Sequence, residues 1–178
     1  MCAKLIPSLY KKGLLPKWLC QIGSDILVFL AQNLPHPKLR ILMWKIRGAN
    51  LKKVKYVGMN CLIGNYPWLL TVRENVAIAS GTKILTEDDS YQNVGGKKYT
   101  APVVIEENVH IGMNCVIFPG VTISKNAIIG AGSVVMHSIP PNSVVTGNPA
   151  KVVMSIEMGK HMLNKRIKKI VKINSKEE

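Results

Sequence analysis

The chain has 178 residues, 47% of them hydrophobic, enough for one domain with a real core and too apolar for a disordered chain. Its net charge of +14 is carried by the ends: residues 1–55 hold eleven Lys/Arg and one acid, residues 56–159 six and seven, residues 160–178 seven and two. Four Cys without CxxC or Cys/His spacing exclude a zinc or dithiol signature, and the absence of helix-turn-helix, finger or RNA-binding motifs argues against nucleic acid as the partner. The basic ends fit a solvated face or, more sharply, an anionic lipid surface or anionic acceptor.

In chain order, the first element is a helix over "WLCQIGSDILVFLAQNL". Trp18, Ile22, Ile26, Leu30 and Leu34 recur every four residues on one face. Seventeen residues interrupted by Gln21, Asp25 and Gln32 are a poor membrane span, and Asp25 also breaks the apolar region a signal peptide would need. Packing on the main domain or lying in a membrane interface are the two accounts of this helix. "LPHPKLRILMWKIRGANL" offers a second helical stripe, Leu39, Leu42, Met43 and Ile46, closing at Gly48.

A period of six follows. Leu51, Val57, Ile63 and Leu69 are six apart; after a shift of three, Val72, Ile78 and Ile84 resume it. From residue 105 the hexads read IEENVH, IGMNCV, IFPGVT, ISKNAI, IGAGSV and VMHSIP. Their first positions, Ile105, Ile111, Ile117, Ile123, Ile129 and Val135, are all large aliphatics. Their fifth positions, Val109, Cys115, Val121, Ala127, Ser133 and Ile139, are mostly small. No helical face recurs at six residues, and simple strand alternation does not explain the small fifth residue. A hexapeptide repeat defines a parallel β-helix in which three hexads make one triangular coil. Gly112, Gly130 and the Asn-rich turns suit its corners. Cys61 and Cys115, both at position five, read as buried fillers rather than nucleophiles.

Between Ile84 and Ile105 the rhythm stops. "LTEDDSYQNVGGKKYTAPVV" is a loop expelled from the coils, and long loops on rigid scaffolds tend to carry function. At its root stand three consecutive acids, Glu87, Asp88 and Asp89. They lack the spaced ligands of a calcium loop, so no metal is expected. The open ends of a β-helix need covering; the helix-compatible residues 155–173 suit one end and the stripe in "LPHPKLRILMWKIRGANL" the other.

The stretch "VVIEENVHIGMNCVIFPGVTISKNAIIGAGSVVMHSIPPNSVVTGNPAKVV" resembles the hexapeptide-repeat acyltransferases, most similarly the galactoside, maltose and capsular polysaccharide O-acetyltransferases. The resemblance implies an all-β fold, a left-handed parallel β-helix over residues 51–154 with an excursion loop at about 85–103. A helical basic extension over 1–50 and a basic helix and tail over 155–178 flank it. It implies a homotrimer with sites between subunits, acetyl-CoA as co-substrate and a carbohydrate acceptor; the sparse Cys favour a reducing cytoplasm, and the basic ends the inner face of its membrane. Hexad alignment puts the pantetheine-lining positions on His110, where the family often has Trp, and on Met113, Ala131 and Met136. Lys151 falls near the CoA phosphates; a further basic position of some relatives is Met154 here. His36, His137 and His161 read as surface residues.

The family's base histidine sits in a stretch resembling "ILTHD"; this chain reads "ILTEDD", with Glu87 in that place. Three readings are open. Glu87 is itself the base, assisted by Asp88, Asp89 or desolvation. The acceptor is an amino sugar, already nucleophilic when neutral, and the activity is N-acetylation. Or the chain is a binding or structural homologue without catalysis. Tyr91 and Tyr99 are candidates to stack on the acceptor sugar.

Overall fold

The computed structural model describes residues 17–174, and the side chains of residues 23–168. Three helices flank a body of short parallel strands: α1 (Lys17–Asn33), α2 (Pro37–Arg47) and α3 (Ile156–Asn174). The strands form three flat faces. The first holds Asn50–Leu51, Leu70–Val72, Val103–Ile105 and Thr122–Ile123; the second runs from Tyr56–Val57 through Ala77–Ile78, His110–Ile111 and Ile128–Ile129 to Ser143–Thr146; the third holds Leu62–Ile63, Lys83–Ile84, Val116–Ile117 and Val134–Val135.

The pairing offsets give the coil length. His110 pairs with Ile128 and Val116 with Val134, eighteen residues or three hexads apart. Tyr56 pairs with Ala77, three residues more, because a 3-10 turn at Pro67–Leu69 fills the corner; this is the shift of three in the sequence. Ala77 pairs with His110 at an offset of thirty-three, so the excursion inserts fifteen residues without disturbing the register.

Each face sends one aliphatic per coil inward. Leu51, Val72, Ile105 and Ile123 stack from the first, Val57, Ile78, Ile111, Ile129 and Val145 from the second, and Ile63, Ile84, Ile117 and Val135 from the third; all are buried. The spacing between stacked strands, about 4.8 Å, keeps these side chains in contact. Val109, Cys115, Val121, Ala127 and Ser133 are buried at the corners. Burial raises the thiol pKa of both Cys61 and Cys115, against weaker backbone hydrogen bonds.

The corners use Asn more than Gly. Asn75, Asn108, Asn126 and Asn142 adopt φ of 56–59°, while in the first coil the positive φ, 43°, falls on Lys53, one register position earlier and opposite Glu74. Asn tolerates this left-handed region better than other residues with a side chain. These four also form a ladder: each amide donates to the next coil's Asn, at 2.8, 3.1 and 2.8 Å. Gly112 and Gly130 do not have positive φ. They are needed for space: a Cβ on Gly112 would lie 2.5 Å from Ala131 N, and one on Gly130 2.8 Å from Thr146 Oγ1.

The first coil lacks a preceding neighbour. Within the body the carbonyls of Ile78 and Ile84 accept from Gly58 N and Gly64 N of the coil before. For the first coil, α2 supplies guanidinium donors in place of those amides. Arg40 Nε donates to Val57 O at 3.0 Å, and Arg47 Nη1 to Ile63 O at 3.0 Å. Arg40 also donates to Leu34 O and Pro35 O, so its buried charge is met by carbonyl dipoles on two sides. Trp44 is buried between them, and Gln32 O of α1 accepts from Asn60 N at 2.9 Å.

The helical faces therefore differ from the sequence expectation. On α2 the packing side is Arg40, Trp44 and Arg47, with Ile41 and Met43 partly buried, while Leu39 and Leu42 are exposed. On α1, Ala31 is buried and Ile26 exposed; the side chains of Trp18 and Ile22 lie outside the described residues. The unmet carbonyls of the end coil decide this, because a donor-bearing face satisfies them and an aliphatic one does not. At the other end Lys151–Ser155 forms an antiparallel strand on Ser143–Thr146, which the hexad pattern does not signal, and it occupies the edge of the second face.

Candidate active site

The loop leaves the third face after Ile84 and returns at Val103. It is a short hairpin: Glu87 and Asp88 pair antiparallel with Thr100 and Tyr99, and a 3-10 turn at Ser90–Val94 forms its tip. Buried Thr86 anchors the root by accepting from Tyr66 N at 3.3 Å.

Glu87 turns inward, its side chain 13% exposed, and both carboxylate oxygens are engaged. Oε1 accepts from Asn65 Nδ2. Oε2, which makes no directed hydrogen bond, forms an ion pair with the ammonium of Lys98 from the returning arm. The close contact with the Glu87 carboxylate raises the Lys98 pKa, opposed by desolvation. The Lys98 ammonium also lies 5.1 Å from the centroid of the Tyr66 ring, within cation–π range. Tyr66 meets Trp68 edge-on, centroids 5.3 Å apart, and Trp68 is half exposed. Burial lowers the Arg47 pKa, while Asp25 and Glu87 act to raise it, so the cap and the loop root share one electrostatic environment.

The other acids are separate from this cluster. Asp88 Oδ1 accepts from Ser90 N at 3.0 Å and Ser90 Oγ at 2.7 Å, bonds that lower its pKa. Asp89 is exposed and precedes the 3-10 turn without capping it through its side chain. No group of three His, Cys, Asp or Glu that could hold a metal ion occurs among the described residues.

Tyr91 and Tyr99 are exposed on the hairpin, Tyr99 with its hydroxyl against the Gly120 turn. His110 is exposed on the second face, and Met113 and Ala131 share the corner between the second and third faces. Met136 is exposed at the corner between the third and first faces, the corner from which the loop emerges. Lys151 is exposed on the terminal antiparallel strand. One prism thus brings Glu87 and Met136 to one corner and Met113 and Ala131 to another. The width of the third face, six residues or up to about 20 Å at 3.3 Å each, separates them.

Asn65, Tyr66, Trp68 and Lys98 escaped sequence reasoning. The first three fall in the three-residue shift between coils, and that irregularity was their available signal.

The fold and this corner define a class, the hexapeptide-repeat β-helix proteins with an excursion loop. A sequence profile described as the hexapeptide repeat of succinyl-transferase matches residues 102–136. Over 92 residues the chain is 40% identical to the galactoside O-acetyltransferase of Escherichia coli, covering 50% of this chain and 45% of that one. It is 37% identical over 92 residues to a putative acetyltransferase of Schizosaccharomyces pombe, covering 50% and 44%. The chain spans about half the length of the curated relatives it matches. Among solved structures it is similar to a maltose O-acetyltransferase from Clostridium difficile, with 27% identity, TM-score 0.55 and coverage of 79% and 89%. It is similar also to a galactoside acetyltransferase in complex with coenzyme A, with 25% identity, TM-score 0.56 and coverage of 76% and 80%. Over these stretches the chain is similar to hexapeptide-repeat acetyltransferases, and its hexads at 102–136 match the repeat itself. These neighbours imply left-handed coiling, a rare exception among parallel crossovers.

Proposed function

We propose that the protein is an acetyl-CoA-dependent O-acetyltransferase acting on a sugar of a cell-surface polysaccharide or its precursor. The observation that carries this reading is the loop-root cluster, with Glu87 beside the half-exposed Tyr66–Trp68 pair, on a fold shared with sugar O-acetyltransferases. The acceptor oxygen attacks the thioester carbonyl, the C–S bond breaks, and the CoA thiol leaves. The hydroxyl proton needs a base as attack develops. Glu87 is the group proposed for it, and Tyr66 and Trp68 offer a ring-sized apolar wall for the sugar, with Tyr91 and Tyr99 further out on the hairpin.

His110, Met113, Ala131 and Met136 are proposed to line the pantetheine arm, and Lys151 to approach the CoA phosphates. Because one prism sets Met113 and Ala131 a face away from Glu87, a complete site needs two copies side by side. That geometry supports a homotrimer with three shared sites.

The engagement of both Glu87 oxygens favours a second reading. Neither is free to take a proton until Lys98 or Asn65 releases it. An amino sugar that arrives neutral needs less help, and N-acetylation then follows. The test is CoA release from acetyl-CoA with hydroxyl and amino-sugar acceptors, in the wild type and in Glu87→Gln. Turnover on a hydroxyl acceptor, lost in the variant, supports the first reading. Turnover only on the amine, retained in Glu87→Gln, supports the second. Failure to bind CoA overturns both and leaves a structural homologue.

A further inference from the structure

Among the described residues, helix α3 is docked at its first turn. Ile156 N donates to Asn142 O at 2.9 Å, and Gly159 lies close against Val144 and Met154. Every described side chain from Lys160 to Lys168 is exposed, although α3 continues to Asn174. It carries a narrow aliphatic stripe and a broader basic side. Ile156, Leu163 and Ile167, seven and four positions apart, fall on one side. Leu163 is 57% exposed and Ile167 49%. Lys165, Lys168 and His161 lie on the opposite side together with exposed Met158, Arg166 lies at one flank, and Lys160 stands at the edge of the apolar stripe beside Ile167. Over its length the helix carries six Lys/Arg and one acid, Glu157.

We infer that α3 is a membrane-surface anchor, its Leu163–Ile167 face inserted into the headgroup boundary of an anionic bilayer and its cations against the lipid phosphates. A nineteen-residue helix with one apolar and one basic side is suited to lying in the interface. It is not suited to crossing: no described helix is long and apolar enough to span a membrane. Charge selects this occupant over a second copy. Packing α3 on its own equivalents would gather the surplus cations of each helix around one axis, whereas an anionic surface neutralises them. This placement is independent of the acetyl-transfer reading, since it uses none of the loop-root residues.

Flotation of the whole protein with phosphatidylcholine vesicles, with and without a quarter phosphatidylglycerol, tests the inference at about 0.1 M salt, where surface charge is screened beyond about 10 Å. The wild type floats with the anionic vesicles and not the neutral ones. Leu163→Asp/Ile167→Asp lowers partitioning at least tenfold, and each of Lys165→Gln and Lys168→Gln lowers it about fivefold. All four positions are exposed, so the native circular dichroism is kept. Absence of flotation, or flotation undiminished in Leu163→Asp/Ile167→Asp, overturns the inference. Sedimentation of that variant as a smaller species than the wild type also overturns it, assigning the face to a second copy.

Discussion

Arg40 Nε donates to Val57 O where a preceding coil would have placed a glycine amide, as Gly58 does for Ile78 one coil on. The end of a stacked-strand solid is thus closed by side-chain donors, and the capping helix is selected for guanidinium rather than for aliphatic surface. Arg40→Met keeps bulk but leaves the carbonyls of Val57, Leu34 and Pro35 without this donor. An unmet buried group costs about 1–3 kcal/mol, so a loss of about 2–4 kcal/mol is expected by urea denaturation. Arg40→Lys recovers only part of this, because one ammonium does not reproduce the planar fork.

Lys53 is the one non-Asn, non-Gly residue with positive φ among the described residues. It lies in the first coil opposite Glu74, and its carbonyl accepts from Asn75 N at 3.2 Å. Lys53→Asn relieves the left-handed strain, while giving up an exposed ion pair with Glu74 that contributes little. A gain of about 0.5–1 kcal/mol is expected, read as a higher thermal midpoint.

Lys98 ties the returning arm of the excursion to its root. Its pKa is raised above the ordinary 10.5, so the pairing with Glu87 stabilises the fold fully below that value and is lost as pH rises through the raised one. Subtilisin nicking within residues 87–102 should increase above pH 10.5 in the wild type. In Lys98→Met it should be fast already at neutral pH.

Burial raises the thiol pKa of Cys61 and Cys115 and also blocks access. Neither should react with iodoacetamide at pH 8 in the folded protein, and both should do so in denaturant, as peptide mapping will show. Cys115→Ser is expected to cost about 1–2 kcal/mol without altering CoA binding, since the change is confined to a filled corner.

The period of six, the inward aliphatics and the small corner residues were legible in the chain because each coil repeats the same local environment. Ile105, Ile111 and Ile117 each stack between aliphatics of the coils on either side, so their pattern is local and regular. The excursion was legible as a gap in that rhythm, and with it the acidic root at Glu87. The partners of Glu87 were not: Asn65 and Lys98 lie twenty-two residues before and eleven after it, joined only by coil stacking and hairpin return. The α2 face was misread for a related reason. Hydrophobic periodicity ranks Leu39 and Leu42 above Arg40, but the demand that buries Arg40 comes from carbonyls seventeen residues downstream. The sequence by itself determined the repeat, the loop and the charged ends, since these depend on spacing and composition. Only the tertiary structure decided which groups meet at the cap and at the loop root, because hydrogen-bond demand at the end of a solenoid is set by the neighbour that is missing.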